Sequence, residues 1–195
     1  MKPTYCLSLL CLMLGSACLL AVPVHQQKVV TSRLEMDGVV FKLTTDRNWV
    51  MPKDRGTPRA IRLDLIAKNR SESKKSFYLF DTMRVFVRDK NGKQALTGGG
   101  RDGLKRAPLY CGPLAKGEER IISRFNAKLF LDAENDARLI CEDNGFGGIL
   151  IFFHLSAARY SVTVELDRTL VITDGQRSGS KGHVEMPPCE VMVSK

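Results

Sequence analysis

The stretch "LSAARYSVTVEL", Leu155–Leu166, decides how this chain is read. Leu155 stands five residues before Tyr160, and Tyr160 opens a strict apolar–polar alternation. A period of two belongs to a strand with one buried face. Tyr160, Val162, Val164 and Leu166 therefore point inward, and Ser161, Thr163 and Glu165 face water. The preceding run "ILIFFHL", Ile149–Leu155, is continuously apolar, as suits a buried strand. Counting back from an inward Leu155 places Ile149, Ile151 and Phe153 in the core. Leu150, Phe152 and His154 then lie on the outer face. Leu150 and Phe152 would form a small apolar partner patch there, unless segment 127–143 folds over them.

The rest of the chain punctuates in the same way. "GVVFKLTT" (Gly38–Thr45) reads as a first strand, and "RNWVMPKDRGTPRA" as a loop broken by Pro52, Gly56 and Pro58. "AIRLDLIAKN" alternates, with Ile61, Leu63, Leu65 and Ala67 on one face. Met83, Val85 and Val87 alternate with Arg84, Phe86 and Arg88. Asn91-Gly92 then signals a tight turn into a short return strand at Gln94–Leu96. "GGGRDGLKRAP" reads as a surface loop. Ile121–Phe125 and Glu190–Val193 are further strands, and "NAKLFLDAENDARLICEDNG" has room for a short helix around Ala133–Ile140. Short strands separated by turn signals predict an all-β sandwich or barrel. In immunoglobulin- and fibronectin-like sandwiches, a tyrosine early in a late strand bonds back to upstream backbone and clamps the crossing between sheets. Leu155 and Tyr160 have the spacing of that tyrosine corner, with Ala157 and Ala158 where its usual form has Pro and Gly. The expected fold is an immunoglobulin/fibronectin-like β-sandwich of about seven to eight strands over residues 38–195. Residues 23–37 are expected to be a linker.

The N-terminus has a different character. Lys2 precedes the uncharged run Tyr5–Val22, with small residues Gly15–Ala17 inside it. This is the layout of a secretory signal over residues 1–22, cut after Ala17 or Ala21. An uncleaved anchor is the rival, since the run approaches a bilayer's thickness. "LGSAC" also resembles a lipobox, with Cys18 as lipid acceptor, although the leucine sits one position too far upstream. The expected location is secreted, periplasmic or at the cell envelope, with membrane contact only through that signal or lipid.

The chain has 195 residues and a formal charge of +9, dispersed among apolar residues. Of six cysteines, Cys6, Cys11 and Cys18 fall in the signal, leaving Cys111, Cys141 and Cys189. Three thiols allow one disulfide and one leftover. Cys111–Cys141 is the favoured pair, because both flank glycine-rich loops.

Little in the sequence carries chemistry. There is no G-x-S-x-G elbow, and His25, His154 and His183 stand apart. No C-x-x-C or paired histidine accompanies the cysteines to make a zinc site. Asp132, Glu134, Asp136 and Asp143 approximate a calcium loop, but Ala137 replaces its glycine and Asp143 its bidentate glutamate. "GGGRDG" lacks the ending of a phosphate loop. Arg84, Phe86 and Arg88 are too few for nucleic acid. Asn69-Arg70-Ser71 is a glycosylation sequon, a triplet common by chance. No catalytic residue, metal or cofactor is expected, and no nucleic-acid partner.

"LDLIAKNRS", "RVFVRDKNGK", "LAKGEERI", "LSAARYSVTVE" and "CEVMVSK" together resemble uncharacterised secreted bacterial proteins with an immunoglobulin-like sandwich. More distantly, they resemble the bacterial intracellular proteinase inhibitor family. The resemblance spans Ile61 to Leu166 and rests on turns, a corner and core alternation, so it implies a fold. The function expected is a non-catalytic exported domain that works by protein–protein contact or as a structural module at the cell envelope. The alternative is an inhibitor-like domain engaging a protease through a protruding loop, Gly98–Pro108.

Overall fold

The computed structural model describes residues 28–79, 81–101, 110–142, 148–177, 179 and 181–195. Residues 1–22 and Cys18 lie outside them. Among the described residues the chain is built from strands, with one 3-10 turn at Arg168–Leu170. No helix among them is long and apolar enough to cross a membrane.

In chain order, β1 (Val29–Met36) and β2 (Val39–Asp46) form a hairpin through Asp37-Gly38, both at positive φ. Most of the expected linker is thus an edge strand. β3 (Asn48–Val50) follows, then β4 (Arg59–Ile61), β5 (Leu63–Asn69), β6 (Lys75–Tyr78) and β7 (Met83–Asp89). β8 (Thr97–Arg101), β9 (Tyr110–Leu114), β10 (Glu119–Arg124), β11 (Ala127–Leu131) and β12 (Ala137–Glu142) come next. β13 (Gly148–Leu155), β14 (Arg159–Asp167), β15 (Val171–Thr173), β16 (Gln176–Arg177), β17 (His183–Glu185) and β18 (Cys189–Ser194) complete the chain.

These segments outnumber the seven or eight strands expected, because long strands break and bend. β4 and β5 are one run interrupted at Arg62. There the Asp46 carboxylate accepts from the Arg62 N–H at 2.8 Å, and the Thr45 hydroxyl donates to its carbonyl at 2.7 Å. β10 and β11 break opposite it, at Asn126 with φ 41°, where the Phe125 N–H still donates to Leu63. The first layer therefore runs β1-β2-β5-β10 and continues as β4-β11-β12-β13-β8. In the second layer β14 lies between β7 on one side and β17 and β18 on the other. It continues as β16-β15-β6-β9. β3 joins β18 in parallel.

The layers share one apolar core. Phe41 of β2 meets Phe77 of β6 edge to face, with centroids 6.0 Å apart, a geometry that aromatic quadrupoles favour. Trp49, expected in a loop, is fully buried on β3, and its indole N–H donates to Thr45. Thr163, expected to face water, is also buried and donates to the Met186 carbonyl at 2.6 Å. The segment around β17 covers that side of β14.

The expected helix at Ala133–Ile140 is instead a hairpin between β11 and β12. Ala137, Leu139 and Cys141 are buried while Arg138, Ile140 and Glu142 are half-buried, which is a strand period. Asp132 closes the turn by accepting from the Glu134 and Asp136 N–H groups, with Asn135 at φ 62°. A short polar side chain that satisfies turn amides competes with helix.

The sequon asparagine proves to be architectural. Asn69 is 0% exposed. Its amide donates to the Ser73 and Leu114 carbonyls at 2.8 and 2.9 Å, and its oxygen accepts from the Ser71 N–H and hydroxyl. Both amide hydrogens are engaged inside the fold. Asn69→Ala leaves two carbonyls and an amide to find new partners in a buried place. We expect it to cost about 2–3 kcal/mol, read as a lowered urea midpoint at unchanged m-value.

Candidate functional site

The site is assembled where β13 hands the chain from one layer to the other. β13 pairs with β12 and β8, whereas β14 pairs with β7, β17 and β18. Leu155 is fully buried and the Tyr160 ring is buried in the same core. The Tyr160 hydroxyl turns back to the Ser156 hydroxyl at 3.4 Å. This contact is long for a hydrogen bond and reaches a side chain, where a tyrosine corner would reach backbone. The grip on the crossing therefore comes mainly from burial of the ring and of Leu155.

Just before the crossing the register slips. Ala137 faces Leu155 but Leu139 faces Phe152, so two residues of β13, Phe153 and His154, stand opposite the single Arg138. This is a β-bulge, and His154 sits in it at φ 55°. One inserted residue reverses the phase of every side chain upstream of it. Phe152 is consequently 0% exposed, in the core, and Leu150 packs against that core. The patch expected at Leu150 and Phe152 is therefore wrong. The outward row is Ile149, Ile151 and Phe153, which period-two counting had placed inside.

That row is poorly covered. Opposite it on β8 stand Gly100 and Gly98, with Thr97, Gly98 and Gly99 facing Phe152, Ile151 and Leu150. Ile149 is 49% exposed and Leu96 64%. Ile151 and Phe153 are half-buried, as is Ile140, which faces Ile151 from β12. Charged groups rim this apolar centre. Lys128 pairs with Glu142 at 3.0 Å, and the Arg138 guanidinium lies 5.5 Å from the Phe130 ring centre. An apolar centre with a polar rim is the anatomy of a contact surface.

The glycines have a local reason. A Cβ at Gly98 would fall 2.8 Å from the Phe153 ring, and one at Gly99, where φ is 136°, would fall 2.0 Å from the Ile149 carbonyl oxygen. Thr97–Arg101 is thus an edge strand, not the surface loop expected. The rest of Gly98–Pro108 lies outside the described residues.

On the inner side of β8 a cleft of about 390 Å³ opens toward β7. Met83, Val85, Phe125 and Leu150 supply its apolar wall, and Arg84, Gln94 and Thr97 its polar one. The Cys141 thiol also lines it, but no histidine or carboxylate does among the described residues. A nucleophile needs such a base. Arg88, with Arg84 and Phe86 on the expected basic strand, is committed elsewhere: it pairs with Glu185 and stacks 5.0 Å from the Phe86 ring centre.

Cys111 and Cys141 are not bridged. They lie on β9 and β12, strands of different sheets. Cys189 is buried, and that burial pushes its thiol above the usual range. At the bulge, His154 Nδ1 lies 3.3 Å from a Glu134 carboxylate oxygen, and Glu134, Asp136 and His154 offer donor atoms within 4.8 Å of one another. A cation placed there would be held by these three groups. Two of them are exposed and the third half-buried, and Asp132 is already engaged by the turn amides. Asp143 lies outside the described residues, as does His25.

None of the protein-family models, curated proteins or solved structures compared with this chain matches it.

Two outcomes test this geometry. Phe152→Ala should cost about 3–5 kcal/mol, whereas Ile149→Ala should stay within about 1 kcal/mol; parallel denaturant melts compare them, and the reverse order would restore the uninterrupted phase. Alkylation of the native chain followed by peptide mapping should label Cys111 before Cys189, which becomes reactive only on unfolding. A recovered Cys111–Cys141 linked peptide would contradict the arrangement.

Proposed function

We propose that this chain is an exported, non-catalytic β-sandwich domain that acts by protein–protein contact, or as a structural module, at the cell envelope. The observation that carries the reading is the apolar row Ile149, Ile151 and Phe153, left open by a glycine edge strand and rimmed by charge. Burying such a row yields roughly 25 cal/mol per Å² of apolar surface, so a partner gains from covering it. Export is supported by the pattern of residues 1–22, and the sandwich by the resemblance to secreted immunoglobulin-like bacterial proteins. The inhibitor reading gains no support from the described part of Gly98–Pro108, which is committed to β8 through Arg101.

Capture from envelope extracts on the immobilised chain tests the proposal. Ile151→Asp should lose the captured protein while leaving the circular dichroism spectrum unchanged. Undiminished capture by that variant would remove this face from the function.

A further inference from the structure

The first layer ends at β1, which pairs with β2 on one side and, among the described residues, with no strand on the other. Its register with β2 is unbroken from Val29 to Met36. Just before it, the Arg47 N–H donates to the Lys28 carbonyl at 2.8 Å. Bonded and non-bonded pairs alternate along an antiparallel ladder, so Val30, Ser32, Leu34 and Met36 bond to β2. The N–H and C=O groups of Val29, Thr31, Arg33 and Glu35 then point away from it. Among the described residues nothing bonds to them.

Proteins shorten, bulge or interrupt such edges to prevent pairing with another chain. This chain does so elsewhere. β3, β4 and β17 have three residues each and β16 has two. β10 is bulged between Ile121 and Ser123, β9 contains Pro113, and β8 holds Gly98, Gly99 and Gly100. β7 is covered in part by its own return segment, through bonds from Ala95 to Val87 and from Asp89 to Lys93. β1 has eight residues and no proline, glycine or bulge. Its edge is therefore left fit for pairing.

We propose that β1 pairs antiparallel with β1 of a second copy of this chain, about a two-fold axis at Ser32. That axis sets Val29 opposite Glu35 and Thr31 opposite Arg33, so every outward residue of β1 gains a bonded partner. On the core-facing side the half-buried Val30 and Leu34 of the two copies meet. Neighbouring registers do less. An axis at Thr31 leaves Glu35 unpaired. An axis at Arg33 sets two arginines directly opposite each other, which destabilises a sheet. An axis at Leu34 sets Arg33 against Glu35 but leaves Val29 and Thr31 unpaired, and a cross-strand ion pair offsets only part of the lost backbone bonds. A two-fold consumes the β1 edge of both copies, so assembly closes at a dimer.

Amide hydrogen exchange by NMR on the isotope-labelled full chain, with sedimentation velocity at low and high chain concentration, tests this. A dimer should form as concentration rises, and exchange at Thr31, Arg33 and Glu35 should be at least about tenfold slower in it than in the monomer. Exchange at Val30, Ser32 and Leu34, already bonded to β2, should differ little between the two. Thr31→Lys, a change at an exposed position, sets a lysine opposite Arg33 on each side of the axis and should weaken dimerisation at least about tenfold. Thr31→Pro removes an outward N–H and spares the bonds to β2, and should abolish the dimer. A chain that stays monomeric overturns the proposal. So does a dimer whose Thr31 and Arg33 amides exchange freely. Association that Thr31→Lys leaves undiminished, as contact through Tyr5–Val22 or the Ile149 row would be, overturns it as well. The exchange measurement on the unaltered chain and the Thr31→Lys variant both stand if Thr31→Pro does not fold.

Discussion

Everything in this fold depends on how the chain leaves one layer at Leu155 and enters the other by Tyr160. A sandwich buries the inner faces of two sheets against each other, so both strands flanking a crossing must deliver apolar side chains to the same core. Leu155 and Tyr160 meet that demand. The bulge at His154 is what allows β13 to arrive in the right phase. Without the extra residue, an inward Leu155 would carry Ile149, Ile151 and Phe153 inward and turn Phe152 out to water. The left-handed backbone of a non-glycine residue costs of order 1 kcal/mol. Core burial of one phenylalanine is worth about 1.5–3 kcal/mol, enough to hold the bulge.

The same bulge creates the outward apolar row of β13. It turns three large apolar residues outward on a strand whose outer neighbour, β8, has glycines where it would otherwise have side chains. A side chain at Gly98 would meet the Phe153 ring and one at Gly99 the Ile149 carbonyl, whereas Gly100, opposite Ile149, has open space around it. Leu150, on the opposite face, lines the cleft toward β7. One edge of the sandwich thus carries an apolar surface outside and a recessed thiol-bearing cleft inside.

Polar groups buried elsewhere serve the strand breaks. Thr45 and Asp46 take over the backbone of Arg62 where β4 gives way to β5, and Asn69 ties the loop after β5 to Leu114 of β9. These side chains replace ladder hydrogen bonds at places where the strand must bend, and buried backbone groups must be satisfied one way or another.

The all-β class, the strand positions near Ile61–Asn69, Met83–Asp89 and Tyr160–Leu166, and the late crossing were legible in the sequence, because alternation and turn chemistry are local signals. Several other properties were decided by the tertiary structure. Whether segment 137–142 is helix or strand depended on a pairing partner, β13, that local propensity does not name. The burial of Trp49 depended on a parallel partner, β18, from the far end of the chain. The outward face of β13 depended on a single inserted residue opposite Arg138, which no periodicity within β13 records, because a bulge is a property of two strands. The sequence by itself determined which segments are strands. Only their pairing across the two layers decided which side chains face outward and which face the core, since register is a relation between segments that meet only in the folded chain.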